Sequence, residues 1–345
     1  MLELGGIVEA VGEMISSVMG SLGFGSGMIT LMQLLTAALA VISFAAVLTL
    51  FLVWMERKVS ARFQMRVGPY RVGWQGTIQT VADAVKLLQK EDITPVNVDR
   101  AIYFWAPVVT FVAAVAVYVT MPFGEGLIVR DLNIGILYII AITTFTVIGL
   151  LMAGWSSNNK YSLLGGFRSA AQVVSYEVPL AIAILGVVML TETLSMLEIV
   201  HQQSKFYQWH VWRQPLGFIV FWIAGTAEVN RTPFDLPEAD SELVAGFVTE
   251  YSGMKFAMFF LAEFVNMFTL SAVATTLYFG GWNGPLLPSW AWFMIKAMAG
   301  VFVLMWFRWT YPRLRVDQLM GFAWKFLLPL AFLNLILTGL GIHFF

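Results

Sequence analysis

An all-α membrane protein is the fold class this sequence predicts, on three observations. Hydrophobic residues fill 59% of its 345 positions and charged residues only 12%. Mean hydropathy is +0.78. The apolar residues also fall in blocks near the length of a membrane span, which needs roughly 20 residues. A soluble domain carries about 25% charged side chains to cover its surface. This chain is too poor in charge to be a soluble enzyme, a disordered chain or a nucleic-acid binder.

Eight blocks qualify as spans: about 31–54, 103–123, 134–155, 169–190, 214–229, 256–279, 287–307 and 322–345. The residues before the first contain Glu3, Glu9 and Glu13 but no Lys or Arg. A secretory signal starts with basic residues, so this acidic, Gly-spaced segment is expected to stay with the mature chain. After the first span, Ile78, Val81, Val85 and Leu88 recur at helical spacing while Asp83, Lys86 and Lys90 take other faces. That pattern suits an amphipathic helix lying in the membrane interface, whether it answers anionic lipid or forms a specific site. The fourth block has only 178–190 as a clean apolar run and the fifth only about 216–227. Such interrupted stretches mark helices whose polar ends are shielded by protein or line a cavity; functionless short buried helices would read the same way. With no repeat, linker or low-complexity tract, one membrane domain over 1–345 is the simplest division.

Basic residues orient the bundle. The segments 56–100, 156–168, 228–255 and 308–325 hold 8, 2, 2 and 4 of the 20 Lys and Arg. Arg130, Lys205 and Arg213 fall in the opposite loops, and Lys296 falls inside a span. The four basic segments therefore face the cytoplasm and both termini face outward.

Cysteine is absent and only His201, His210 and His343 occur. No disulfide or cysteine-held iron–sulfur cluster can be built from this chain, and no histidine spacing points to a metal. Gly23, Gly25 and Gly27 lack the spacing and the preceding strand of a dinucleotide loop. There is no nucleophile–base pair. The chemistry rests on carboxylates.

Glu228, Asp235, Glu238, Asp240, Glu242 and Glu250 fall within 23 residues at the cytoplasmic end of the fifth span. Asp235, Pro237 and Glu238 resemble a helix start, with a cap, a first-turn proline and an acid three residues on. A solvated acidic loop is the competing reading. Against it, Phe234, Leu236, Leu243, Val244, Phe247 and Tyr251 are interleaved with the acids, and the mixture implies partial burial, which raises a carboxyl toward the range where it exchanges protons. Glu177 stands beside Tyr176 and just before Pro179, whose missing N–H leaves the Ser175 carbonyl unpaired in a continued helix. A proton-relay carboxyl and a structural carboxylate paired with Lys or Arg both fit. Glu263 is the eighth residue of its span, roughly 10 Å in, and a charge there is costly enough to default to function; Lys296 is equally deep. Glu56 is expected to snorkel to the interface. Together with Asp83 and Glu91, these acids gather in the cytoplasmic half, so a proton path entering from that side is the economical reading. Asn266 and Asn334 read as packing.

Three motifs then carry a family resemblance. They are Glu56-Arg57-Lys58 with Arg66-x-Gly68-Pro69; Trp155 to Gly165 leading to Gln172 and Ser175-Tyr176-Glu177; and Glu228-x-Asn230-Arg231-Thr232-Pro233-Phe234-Asp235-Leu236-Pro237-Glu238-Ala239-Asp240-Ser241-Glu242-Leu243. All resemble the family of quinone-site membrane subunits of respiratory complex I, the proton-translocating NADH:quinone oxidoreductase, from about residue 30 to the C-terminus. Asp240 stands where that family often has Glu, and Phe264 where Tyr is common.

The resemblance implies a tilted eight-span bundle that forms a quinone chamber with peripheral-arm subunits. Ubiquinone or menaquinone would be the substrate. NADH, flavin and iron–sulfur clusters would sit on partners, which include the quinone-site and iron–sulfur subunits and antiporter-like membrane subunits. It implies proton coupling through Glu177, Glu228, Asp235, Glu238, Asp240, Glu242, Glu250, Glu263 and Glu56. It assigns Arg57, Arg62, Arg66, Asp83, Lys86, Glu91, Arg231 and Phe234 to the quinone chamber and tunnel. The expected location is a bacterial cytoplasmic (inner) membrane, with an organelle inner membrane as the alternative. Rival readings are the equivalent subunit of a membrane-bound hydrogenase or ferredoxin-linked complex, a secondary transporter, and a structural anchor.

Overall fold

The computed structural model describes residues 11–14, 16–18, 21, 25–237 and 240–344. Glu3, Glu9 and Glu238 lie outside them. Among the described residues all regular elements are helical. They are α1 (Ser26–Phe63), α2 (Gln79–Gln89), α3 (Arg100–Ala116), α4 (Gly135–Ser156), α5 (Lys160–Thr191), α6 (Met196–Gln202), α7 (Pro215–Glu228), α8 (Gly253–Tyr278), α9 (Ser289–Thr310) and α10 (Val316–Phe344), with short turns between. Seven of these, α1, α3, α4, α5, α8, α9 and α10, are long and apolar enough to cross a membrane. The eighth, α7, has 14 residues and rises about 21 Å at 1.5 Å per residue, short of a 30 Å hydrocarbon core.

The interrupted apolar run of the fourth block does not make a short helix. α5 is continuous over 32 residues, with Pro179 inside it. Its polar N-terminal half is shielded by protein: Ser162 and Ser169 are fully buried, and Gln172 is 1% exposed. The expectation of shielded polar ends holds, while the expectation of a short helix fails. The loop acids bring a second correction. Asp235 is not a helix cap, because Leu236 and Pro237 after it are not helical and the Asp235 carboxylate instead accepts from Arg313 at 2.8 Å.

The amphipathic segment after the first span is a helix, α2. It leaves Ile78, Val81, Val85 and Leu88 exposed on its apolar face and ties Asp83 to Arg57 of α1 at 2.5 Å. An apolar face left open beside a membrane bundle is what an interfacial helix requires.

α8 forms the centre. From Phe264 to Tyr278 every residue but Asn266 is buried, and the rings of Phe44, Tyr118 and Phe268 pack edge to face around it. The four basic segments meet at one end of the bundle. Lys255 pairs with Asp92 at 3.0 Å, Arg168 with Glu242 at 2.5 Å, and Arg313 with Asp235. At the opposite end, the Lys296 ammonium donates to the carbonyls of Phe279, Gly281 and Asn283 at 2.8, 3.0 and 2.7 Å. Lys296 therefore closes the turn after α8.

Candidate functional site

Two of the expected acids, Glu56 and Glu263, converge on Arg231. Its side chain is 3% exposed, held in the loop after α7 by the bond from its own N–H to the Thr226 carbonyl. Nε lies 3.1 Å from Glu263 Oε1 on α8, and Nη1 lies 3.3 Å from Glu56 Oε2 on α1. The guanidinium covers the Phe264 ring at 4.7 Å. Glu56 also accepts from Arg308 of α9. Four elements thus meet in a network of two carboxylates and two guanidinium groups, buried at Glu56 and Arg231 and half-buried at Glu263 and Arg308. Burying such charges is tolerable only when each is paired and hydrogen-bonded. Glu56 does not snorkel: it is 8% exposed, because α1 runs on to Phe63 and keeps it inside the bundle.

Asp235 extends the network toward the basic end. Burial raises its pKa, opposed chiefly by Arg313. Asp235, Glu263, Arg308 and Arg313 line one cavity of about 280 Å³. Glu263 also lines a deeper cavity of about 40 Å³ with Thr110, Thr146, Glu228, Asn230 and Asn266. A third, of about 60 Å³, shares Thr146, Glu228 and Asn266 with the second and continues past Thr143 among apolar side chains. Among the described residues Thr146 Oγ1 and Asn266 Oδ1 have no hydrogen-bond partner. Orphaned polar atoms facing a cavity of at least 10–15 Å³ meet the conditions for bound water. The polar run therefore continues from Arg313 to Glu228.

Glu177 belongs to the inner end of this run. Its Oε1 accepts from Thr144 Oγ1 at 2.5 Å, and it joins no ion pair among the described residues. Pairing with Lys or Arg, the structural reading, does not occur there. Glu228 lies beside Thr143 and within electrostatic reach of Glu177.

A family model described as NADH dehydrogenase matches residues 36–339. The chain belongs to the NADH dehydrogenase family. It is 52% identical to the H-type subunit of the NADH-quinone oxidoreductase of Dehalococcoides mccartyi (strain CBDB1), over 90% of this chain and 87% of that one. It is 49% identical to the H-type subunit of the same enzyme from Carboxydothermus hydrogenoformans, over 90% of each chain. With an H-type NADH-quinone oxidoreductase subunit of Geobacter sulfurreducens the identity is 46%, over 92% of this chain and 97% of that one. In this family member the motifs that carry the resemblance supply Glu56, Arg231 and Asp235 of the network.

Not every expected site residue joins it. Glu242 is exposed and pairs with Arg168, and Glu250 accepts from Asn159 at 2.7 Å on the rim. The short turn that begins at Asp240 starts beyond the network. Arg62, Arg66, Lys86 and Glu91 are exposed at the basic end, where Arg57 and Asp83 form their own pair. Phe234 is buried, its ring 5.5 Å from that of Tyr176. Sequence reasoning missed Arg308 and Arg313 as network members, counting them only for orientation. It also placed Asn266 in packing, whereas the side chain lines two cavities. The one available signal was a polar residue three positions after Glu263, on the same helix face. Asn334 does pack, against Gly186 and Gly217. Among the described residues no group of three His, Asp or Glu converges as a metal site would need.

Proposed function

We propose that this chain is the membrane subunit of a proton-translocating NADH:quinone oxidoreductase, closing the quinone chamber with peripheral-arm partners and coupling quinone reduction to proton movement. The observation that carries the reading is the run from Asp235 through Glu263 to Glu228, where half-buried carboxylates line adjoining cavities beside the buried Arg231. Family membership supports the quinone and the other complex I subunits as its chemical setting. Oxidising NADH and reducing a quinone transfers two electrons, and the quinol formed takes two protons. The electrons arrive from an iron–sulfur cluster on a partner, in keeping with a chain that has no cysteine. The location is the cytoplasmic membrane of a bacterium.

The chain's own part is electrostatic. Arg57, Arg62, Arg66, Asp83, Lys86 and Glu91 stand at the basic end as the chamber mouth, with Arg231 and Phe234 deeper. Charge developing on the reduced quinone alters the favoured protonation of Glu56, Asp235 and Glu263, and the change passes inward to Glu228 and Glu177. At an effective dielectric of about 20, two unit charges some 8 Å apart interact by roughly 2 kcal/mol, enough to shift a pKa by more than one unit. Glu242 and Glu250 supply protons at the rim, and Glu238 and Asp240 of the same acidic run share that role.

Tagging the chain and identifying what co-purifies from mild detergent tests the assignment. Flavin and iron–sulfur subunits together with antiporter-like membrane subunits are expected. A nickel–iron hydrogenase component in their place would overturn the quinone reading, and a chain that emerges alone would favour a transporter. In the assembled complex, Glu177→Gln and Glu228→Gln should lower coupled quinone reduction. Parental turnover in both variants would refute the coupling role.

A further inference from the structure

Gln172 of α5 is 1% exposed and holds the acid-bearing loop from a single amide. Its Nε2 lies 2.7 Å from the Ala227 carbonyl, 2.8 Å from the Phe234 carbonyl and 3.0 Å from Asn230 Oδ1. Ala227 precedes Glu228 and Phe234 precedes Asp235. One side chain therefore ties together the two ends of the segment that carries Glu228, Arg231 and Asp235.

The segment is also fastened at its middle by Arg231 to Glu56 and Glu263, and at Asp235 by Arg313, whereas Gln172 grips its backbone near both ends. The segment's own backbone bonds are local: Asn230 N–H to Ala227, Arg231 N–H to Thr226 and Phe234 N–H to Arg231. They shape the turn without locating it. The backbone bond that leaves it runs from Leu314 N–H to the Pro233 carbonyl at 3.2 Å. Gln172 is also on the helix of Glu177, just over one turn away. An amide N has two hydrogens for the three acceptors, and among the described residues Gln172 Oε1 has no partner of its own, so the side chain holds the loop through Nε2.

We propose that Gln172 is a positioning residue, setting the separation of Glu228 from Arg231 and Asp235 and so the alignment of the carboxylates on either side of Arg231. The proposal rests on the proton-coupling reading of those carboxylates given above. Gln172 touches no reacting group in this role and acts through the loop.

The test uses the assembled complex with three variants. Gln172→Met keeps the length and removes the donor, and Gln172→Asn keeps the amide one methylene short. Gln214→Met removes a buried glutamine at the opposite end, where Nε2 donates to the Gly186 carbonyl at 2.7 Å and Thr338 at 2.9 Å. Hydrogen exchange over 228–236 should quicken by about ten-fold in Gln172→Met. Protons moved per electron should fall while KM for quinone stays near the parental value, with Gln172→Asn between the two. Gln214→Met should leave exchange over 228–236 and the proton ratio unaltered. Unchanged exchange, an equal effect from Gln214→Met, or a loosened loop with parental proton stoichiometry would each overturn the proposal. If Gln172→Met does not assemble, Gln172→Asn carries the comparison. Failure of the underlying reading has a different signature: Glu228→Gln then moves protons at the parental ratio whatever the Gln172 variants do.

Discussion

Arg231 and Glu263 approach to 3.1 Å inside the bundle, and the same guanidinium reaches Glu56, 175 positions earlier in the chain. One cation thus fastens the loop after α7 to both α1 and α8. Removing it leaves two carboxylates at depth with only Arg308 to answer Glu56.

Arg231→Met should therefore be severe. Breaking a buried pair by removing one partner costs about 3–5 kcal/mol, because the other charge stays buried without compensation. Loss of assembled complex on native gels is the expected result. Adding Glu263→Gln should recover part of it by neutralising the carboxylate left behind. Equal losses in the single and double variants would mean that Arg231 matters for its packing on Phe264 and not for its charge.

The cavity-lined part of the run separates proton movement from stability. Asn266 Oδ1 and Thr146 Oγ1 face cavities with no hydrogen-bond partner among the described residues. Asn266→Leu and Thr146→Val fill or dry those cavities while removing an orphaned polar atom, a change that is near neutral or stabilising. Thermal stability should stay within about 1 kcal/mol of the parent, while proton movement per electron falls. Undiminished proton movement in the double variant would show that protons bypass these cavities.

These residues also mark where sequence reading stopped. Hydropathy blocks and helical spacing are local signals, and they predicted the helical membrane fold, the interfacial helix at Val81 and Val85, and the mixing of acids with buried Phe234 and Leu236. Glu56 and Arg308 lie 252 positions apart, and no spacing rule links them. The polar half of α5 read as an interruption because composition cannot tell a solvated Ser162 from one sealed against a neighbouring turn. Asp235 matched a cap pattern, yet a guanidinium from a distant loop competes for a carboxylate more strongly than backbone amides do.

His210 predicts a pH dependence of stability. The residue is 1% exposed, neither ring nitrogen has a partner among the described residues, and burial together with Arg213 pushes its pKa down to about 4. An unfolded histidine titrates near 6.5. The folded state therefore resists a proton that the unfolded state accepts, and the stabilising contribution, full above pH 6.5, is lost as pH falls toward 4. The loss should reach about 3 kcal/mol at most. Thermal unfolding in detergent at pH 7.5 and pH 4.5 should show a smaller acid-induced drop for His210→Gln than for the parent. An identical drop would mean that other groups account for the acid sensitivity.

Gly165 carries the last prediction, and it shows why the motif from Trp155 to Gly165 has the residues it has. A Cβ there would lie 2.8 Å from the Phe247 backbone nitrogen and 2.9 Å from the Gly246 Cα. Both neighbours are backbone atoms of the turn that leads from the acidic loop into α8, so neither can swing aside as a side chain would. The same approach lets Ser162 donate to the Phe247 carbonyl at 3.2 Å. Gly165→Ala must push the turn away from α5, at a cost of about 1–3 kcal/mol from overpacking. Gly341→Ala is the natural comparison, since a Cβ there meets nothing within 4 Å. Gly341 stands in the last turn of α10, so that change should stabilise mildly, by up to about 0.5 kcal/mol, through propensity alone. Melting of the two variants in the same detergent reads the contrast directly: opposite signs support close backbone packing of α5 on the 246–248 turn, and a Gly165→Ala variant as stable as the parent would show that the turn yields.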